Sequence, residues 1–122
     1  MEPHETPEGL RARAAEDLRV AQIVKENDDE LVTIICFHLQ QYVEKSLKAR
    51  LMELEIPYGK VHDLLMLVQL LPDGAPIENE YCNDLIALTH YATTAKYSAR
   101  APTVDEMERA FKAAPIIVSL IK

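Results

Sequence analysis

The sequence is poor in the residues that build hairpin turns and in those that build disulfide or metal frameworks. It has three glycines and no tryptophan in 122 residues. Since tight hairpin turns depend heavily on glycine, a fold made mainly of β-strands is disfavoured. The two cysteines, Cys36 and Cys82, lack CxxC spacing and lie in apolar helical patterns. We expect both to be reduced, buried and inert.

The sequence also lacks an excess of positive charge, since 13 Lys and Arg residues stand against 20 Asp and Glu residues. The formal net charge of −7 argues against a general electrostatic grip on nucleic acid, because Lys and Arg supply most nonspecific affinity for phosphates. A local basic patch stays open. Residues 1–8 carry three acids and two prolines, which is the wrong chemistry for a signal peptide, and no apolar run approaches the ~20 residues of a membrane helix. We expect a cytoplasmic protein with no membrane partner.

What the sequence does contain is apolar residues at helical spacing. They make up 48% of a chain of one-domain length, so a single folded domain over residues 1–122 is predicted, with residues 1–8 flexible. The fold class is all-α: an up-and-down bundle of four long helices plus one short helix. The predicted helices cover residues 10–24, 31–54, 62–71 and 77–97, and a fifth begins at residue 103.

Local signals set several of the predicted helix ends. Asn27 and Glu30 are predicted to cap the second helix as a capping box, and Thr103 with Glu106 is predicted to do the same for the fifth. Pro115 lacks an N–H group and clashes with the preceding turn, so we expect it to kink or restart the fifth helix.

The second predicted helix is the natural centre of the bundle. It has no proline or glycine and carries two apolar stripes, so it is covered on more than one side. Its remaining polar face carries Gln40, Glu44, Lys45 and Lys48. On that face Glu44 and Lys48 are spaced for a surface ion pair.

Five separated segments have the order and spacing of one known family. CFHLQQYVEKSLKA covers residues 36–49, and it is followed by IPYG at 56–59, VHDL at 61–64, KY at 96–97 and PTVDE at 102–106. Together they resemble the HEPN family. The resemblance implies a helical bundle from bacteria or archaea, commonly a homodimer, often acting beside a minimal nucleotidyltransferase in a toxin-antitoxin-like pair. Several branches of that family are metal-independent ribonucleases that use an Arg and a His with four to six residues between them.

The arginine of that ribonuclease pair is missing here. His90 is the best-placed histidine, and the three positions that would hold the arginine are Asn83, Asp84 and Leu85. An aspartate there would repel phosphate instead of stabilising it. We therefore expect a module that is not itself catalytic and that uses no cofactor. The sequence shows no metal-binding motif, and its four histidines lie far apart.

His38 is the second candidate catalytic or ligand-binding residue. With Gln41, Lys45 and Lys48 at helical spacing it would line a polar groove in which the lysines meet a phosphate. The alternative, which we favour, is a core histidine that hydrogen-bonds a neighbouring helix.

Two further pairs of residues are candidates, one pair for contacts with a ligand and the other for a structural role. Lys96 and Tyr97 end the fourth predicted helix and would contact a phosphate and a base, although a solvated helix end explains the same residues. His62 and Asp63 are predicted to orient the start of the short helix, because an acid is favourable at the positive helix end.

Three functional hypotheses stay open. The first is a HEPN-type nucleotide- or RNA-binding or interaction module. The second is a divergent HEPN ribonuclease toxin that uses His90 or His38 with a basic partner from elsewhere in the fold or from a second subunit. The third is a purely structural oligomerisation bundle, which would show a continuous apolar interface and no polar groove.

Overall fold

The computed structural model describes residues 5–72, 75–97 and 101–121, and their side chains except those of 75–76 and 93–97. Within these ranges the chain forms five helices and no strand, which confirms the all-α bundle of four long helices and one short one. In chain order the helices are α1 (Pro7–Asn27), α2 (Val32–Glu53), α3 (Leu64–Leu70), α4 (Ala75–Tyr97) and α5 (Val104–Ile121). None of the described helices is both long and apolar enough to cross a membrane.

Helix α2 is the centre of the bundle. It packs against each of the other four helices, whereas the backbone of α1, within the described ranges, packs only against α2. Its two apolar stripes explain this position, since a helix that is apolar on more than one side needs several neighbours to bury it. Ile35, Leu39, Leu47 and Leu51 are completely buried. α2 therefore supplies the middle of the core.

The first helix begins and ends differently from the prediction. It starts at Pro7, three residues before Leu10, because the Thr6 hydroxyl accepts a hydrogen bond from the Gly9 amide at 2.9 Å. The capping box predicted for α2 is wrong. Asn27 is the last residue of α1, and its side-chain amide nitrogen Nδ2 donates to the Ile23 carbonyl at 2.7 Å. Leu31 stands at the N-cap of α2 with no side-chain hydrogen bond.

A left-handed residue ends α2. Glu55 has φ 58°, and the amide of Ile56 donates to the carbonyl of Leu51 at 2.9 Å. This is the hydrogen bond of a Schellman motif, which closes the last turn of a helix. α2 thus ends at Glu53, one residue before the predicted end at residue 54.

The starts of α3 and α5 follow the capping signals in the sequence. Asp63 accepts hydrogen bonds from the amides of Leu65 and Met66 at 3.0 and 3.2 Å, so it caps α3. The capping box of α5 is confirmed: the Thr103 amide donates to Glu106 Oε1 at 2.9 Å, and the Glu106 amide donates to Thr103 Oγ1 at 3.1 Å.

Helix α5 runs through Pro115 without restarting. The missing hydrogen bond is offset by burial, since Ala114 precedes the proline and Ile117 follows it, both completely buried. Helix α4 contains the one interruption recorded within a described helix, at Tyr81 (φ −119°, ψ 18°).

Removing core volume from α2 tests its central position. Leu47 is completely buried, and we expect Leu47→Ala to lower the free energy of unfolding by about 2–5 kcal/mol, because the loss of buried surface adds to the cost of a cavity. The matched control is Ile86→Ala, since Ile86 is 50% exposed and should change stability by about 0.5 kcal/mol or less. Urea unfolding measures both, and equal losses would contradict the central role of α2.

The two thiols should differ in reactivity. Cys36 is buried, and burial raises its pKa to about 12, whereas Cys82 is only half-buried, which corrects the expectation that both are enclosed. Because the thiolate is the reactive form, native protein at pH 8 should show one reactive thiol with Ellman's reagent and unfolded protein two. The Cys82→Ser variant should show none when native. Two equally fast native thiols would refute this difference.

Candidate functional site

The polar residues of α2 fall into two separate clusters instead of one open groove. The first, the Asp17 cluster, joins α1 to α2 and consists of Asp17, His38 and Lys45. The second, the Glu44 cluster, joins α2 to the segment before α3 and consists of Gln40, Gln41, Glu44, Lys48 and His62.

The Asp17 cluster is centred on a buried carboxylate. Asp17 is 8% exposed, and it lies on the face of α1 that packs against α2. One of its oxygens is 2.8 Å from Nδ1 of His38, and the other accepts from Nζ of Lys45 at 2.6 Å. Two turns of α2 separate His38 from Lys45, so both side chains leave the helix on the side of α1. One aspartate thereby ties two residues of α2 to α1.

This geometry limits what His38 and Lys45 can do. With Nδ1 donating to Asp17, Nε2 of the half-buried His38 ring is the nitrogen that can exchange a proton with a substrate. An aspartate that orients a histidine in this way also occurs in acid–base sites. Here, however, the same carboxylate neutralises Lys45. The ammonium group predicted to meet a phosphate is already ion-paired inside the protein.

The Glu44 cluster is a compact hydrogen-bond network. Glu44 Oε1 accepts from the Gln40 amide at 2.8 Å, and Oε2 accepts from Nζ of Lys48 at 3.2 Å and lies 3.1 Å from Nδ1 of His62. The Gln40 amide also donates to the His62 carbonyl at 3.4 Å, and Gln41 donates to the side-chain oxygen of Gln40 at 2.7 Å. Gln41 and Lys48, both predicted ligand contacts, therefore bond to neighbouring protein groups.

Burial corrects the prediction of a surface ion pair. Glu44 and Lys48 do pair, but Glu44 is 6% exposed and Gln40 only 1%. The segment after α2 covers this face: Nζ of Lys48 lies 5.3 Å from the centre of the Tyr58 ring, and Tyr58 is buried. The spacing of residues along a helix does not show which of its faces a later loop will cover. The sequence pattern of α2 therefore predicts that Glu44 and Lys48 are exposed to solvent. Buried charges need partners, and this network supplies them.

The fourth helix carries the other candidate histidine. His90 is exposed, and its ring centre lies 6.5 Å from that of Tyr91. A groove of about 310 Å³ runs between α4 and α5, and its lining includes Asp84, Tyr91 and Arg109 but not His90. Nε of Arg109 donates to Asp84 at 3.0 Å, and this hydrogen bond raises the pKa of Arg109. A basic residue thus reaches this face from α5, already paired with the aspartate.

The remaining predicted contacts are not placed. The backbone of Lys96 and Tyr97 ends α4, but their side chains lie outside the described part of the chain. Among the described residues, no group of three or more His, Cys, Asp or Glu side chains could hold a metal ion.

Sequence reasoning missed two residues of these sites. Asp17 had a signal: it is an acid at a buried position of the first helix, between Ala14 and Ala21. Arg109 had none, since 25 residues separate it from Asp84.

Comparison with known proteins identifies a family. The model of the HEPN domain matches residues 7–122, nearly the whole chain. Neither the curated proteins nor the solved structures contain a significant match. The family match confirms the resemblance carried by the five sequence segments.

Removal of the Asp17 carboxylate should lower the free energy of unfolding more than removal of an exposed ion pair between α1 and α2. In Asp17→Ala, Lys45 and His38 lose their partner in a partly buried setting, so we expect the free energy of unfolding to fall by about 1–3 kcal/mol. Urea unfolding at pH 7 measures this loss.

The control for that experiment is Glu53→Ala. Glu53 accepts two hydrogen bonds of 2.7 Å from Arg11, also linking α1 to α2, but both side chains are about one-third exposed. Arg11 lowers the pKa of Glu53 to about 2, so the pair is fully charged at pH 7. Solvent screens such pairs, and the control should lose less stability. A larger loss in Glu53→Ala would contradict the role given to Asp17.

Proposed function

The chain belongs to the HEPN domain family, a family of nucleotide- and RNA-related modules, and on this basis we propose that it binds a nucleotide or RNA, or a partner protein, without cleaving RNA. We further propose a cytoplasmic, prokaryotic homodimer that partners a minimal nucleotidyltransferase in a toxin-antitoxin-like pair.

The pairing of Arg109 with Asp84 carries the non-cleaving part of this proposal. Metal-independent cleavage needs a cation aimed at the charge that develops on phosphorus. Asp84 holds one of the three α4 positions that could carry that arginine, and Asn83 and Leu85 hold the other two. Arg109 is the basic residue of the groove, and its guanidinium is bonded to that aspartate. A phosphate that binds the remaining N–H groups of this guanidinium would lie beside the Asp84 carboxylate, which repels it.

The state of the lysines on α2 supports the same proposal. Lys45 is bonded to Asp17, and Lys48 to Glu44. Neither ammonium group is available without breaking an ion pair that is partly buried. The candidate contacts of α2 therefore favour a structural role over phosphate chemistry.

Exposed apolar side chains support a protein partner. Four large ones flank the connection between α1 and α2, and each is more than one-third exposed: Val20, Ile23, Leu31 and Ile34. A group of exposed apolar residues is typical of a contact surface. This end of the α1–α2 pair is where we place contact with a second copy or with the nucleotidyltransferase.

A divergent ribonuclease is the second candidate function. The observation that favours it is the Asp17 cluster, in which an aspartate orients His38 and brings Lys45 close to it. In that mechanism Nε2 of His38 would exchange the proton of the 2′-hydroxyl or of the leaving oxygen.

An RNA cleavage assay separates the two functions. The chain is purified alone and together with a co-expressed nucleotidyltransferase from the adjacent gene, and each sample is incubated with labelled RNA. We expect a stable complex and intact RNA, since no unpaired cation faces either histidine among the contacts described above. Cleavage that disappears in His38→Ala or His90→Ala would establish a ribonuclease and overturn the first proposal.

The control for this assay is Arg13→Ala. Arg13 is exposed on α1 and belongs to neither cluster, so cleavage that persists equally in all variants would point to a contaminating nuclease. A chain that dimerises but binds neither RNA, nucleotide nor partner would instead be a purely structural bundle.

A further inference from the structure

A groove lies between α1 and α5, and no residue of the Asp17 cluster lines it. Its volume is about 340 Å³, within the range of small-molecule sites. The walls are apolar and come from Ala14 and Leu18 of α1 and from Val118 and Ile121 of α5. Tyr42 and Ser46 of α2 also line it. The groove exists because α1 and α5 both pack on α2 while their backbones stay apart.

Polar groups without partners face this apolar groove. Tyr42, Gln22 and Arg19 all line it, and in the described part of the chain none of their side-chain polar atoms forms a hydrogen bond or an ion pair. Burial raises the pKa of the Tyr42 hydroxyl, so this hydroxyl stays neutral and able to donate. An apolar pocket with a few convergent polar groups is the usual form of a ligand site.

The charge of the groove has one sign. Its two charged lining residues are Arg11 and Arg19, in a chain whose net charge is −7. Arg11 is held by Glu53 in a bidentate pair, whereas Arg19 is exposed and makes no such pair with a described residue. The groove therefore offers one guanidinium group to an anion, beside an apolar surface.

We propose that the α1–α5 groove binds a small amphipathic monoanion, whose apolar body lies between Leu18 and Val118 and whose anionic group pairs with Arg19. The Tyr42 hydroxyl and the Gln22 amide are placed to donate to polar atoms of the same ligand. None of the residues of the Asp17 and Glu44 clusters lines this groove. The inference goes beyond the proposed function and does not depend on it.

The size of the groove and its single available cation set the class of ligand. A volume near 340 Å³ is at the lower end for ligand pockets, which favours a compact molecule over a peptide helix. One unpaired guanidinium matches one carboxylate, sulfonate or phosphate group.

The probe for the first test is 8-anilinonaphthalene-1-sulfonate, an aromatic monoanion whose fluorescence rises in apolar surroundings. Titration of the full chain should show saturable binding of one probe per chain. Arg19→Gln should weaken binding about tenfold, the size expected for a charge-assisted hydrogen bond. Ala15→Phe, which places a ring in the groove from its exposed edge, should abolish binding.

Arg13→Gln is the matched control. Arg13 is an exposed arginine of the same helix, and it does not line the groove. It removes the same charge and should leave probe binding unchanged. Circular dichroism of each variant checks that the helices are intact, because partly unfolded protein also binds this dye. Absence of saturable binding, or an equal loss in Arg13→Gln and Arg19→Gln, overturns the proposal.

Competition identifies the source of the anion. Octanoate and 3′,5′-cyclic adenosine monophosphate, each a monoanion at neutral pH, are titrated separately against bound probe. Displacement by octanoate alone assigns an aliphatic carboxylate, and displacement by the nucleotide alone assigns a nucleotide. The site is rejected if neither compound displaces the probe and if Arg19→Gln also leaves the affinity for the probe unchanged.

Discussion

The bundle depends on pairing the charges that its central helix buries. Helix α2 carries the buried Glu44 and the half-buried Lys45 in addition to its apolar stripes, and a buried charge without a partner costs several kcal/mol. The partners come from both sides of α2. Asp17 of α1 binds Lys45, and His62, from the segment before α3, lies against Glu44. Hydrogen bonds and ion pairs to α2, together with apolar packing, thus hold α1 and this segment in position.

The same pairing shapes what the molecule offers to other molecules. Glu44 and Asp17 occupy the lysines of α2, and Asp84 occupies Arg109. The basic residues of the two α2 clusters and of the α4–α5 groove are thus each bonded to a carboxylate, in a chain that is acidic overall. The features that point outward are instead the exposed apolar residues near the α1–α2 connection and the groove beside Arg19. Recognition by apolar contact, with a single charge for orientation, fits this distribution better than catalysis on a phosphodiester.

Helical periodicity predicted the helices and the place of α2, because each depends on residues a few positions apart. The predicted capping of α2 was wrong for a physical reason. Asparagine is suited both to starting a helix and to ending one, and α1 extends far enough to include Asn27 as its last residue. The burial of Glu44 and the arrival of Arg109 were beyond local patterns, since Tyr58 and α5 reach these residues only after the chain has folded. Asp17 lay within reach of sequence reasoning, as an acid in an apolar stripe.

Helix α1 has one backbone neighbour, and this makes the stability of the fold uneven. The backbone of α1 packs on α2 alone, whereas every other long helix packs on at least two neighbours. Side-chain contacts from α1 to α5 come from Lys25, which pairs with Glu108 and lies over the Phe111 ring. Because the backbone packing of α1 is concentrated on one neighbour, we expect α1 to detach as one cooperative unit, separate from the α2–α5 body. Such an opening leaves Lys45 and His38 without their aspartate. The Asp17 cluster therefore raises the free energy of this partly open state. The stability of its hydrogen bonds influences how often the apolar surface beneath α1 is exposed to solvent.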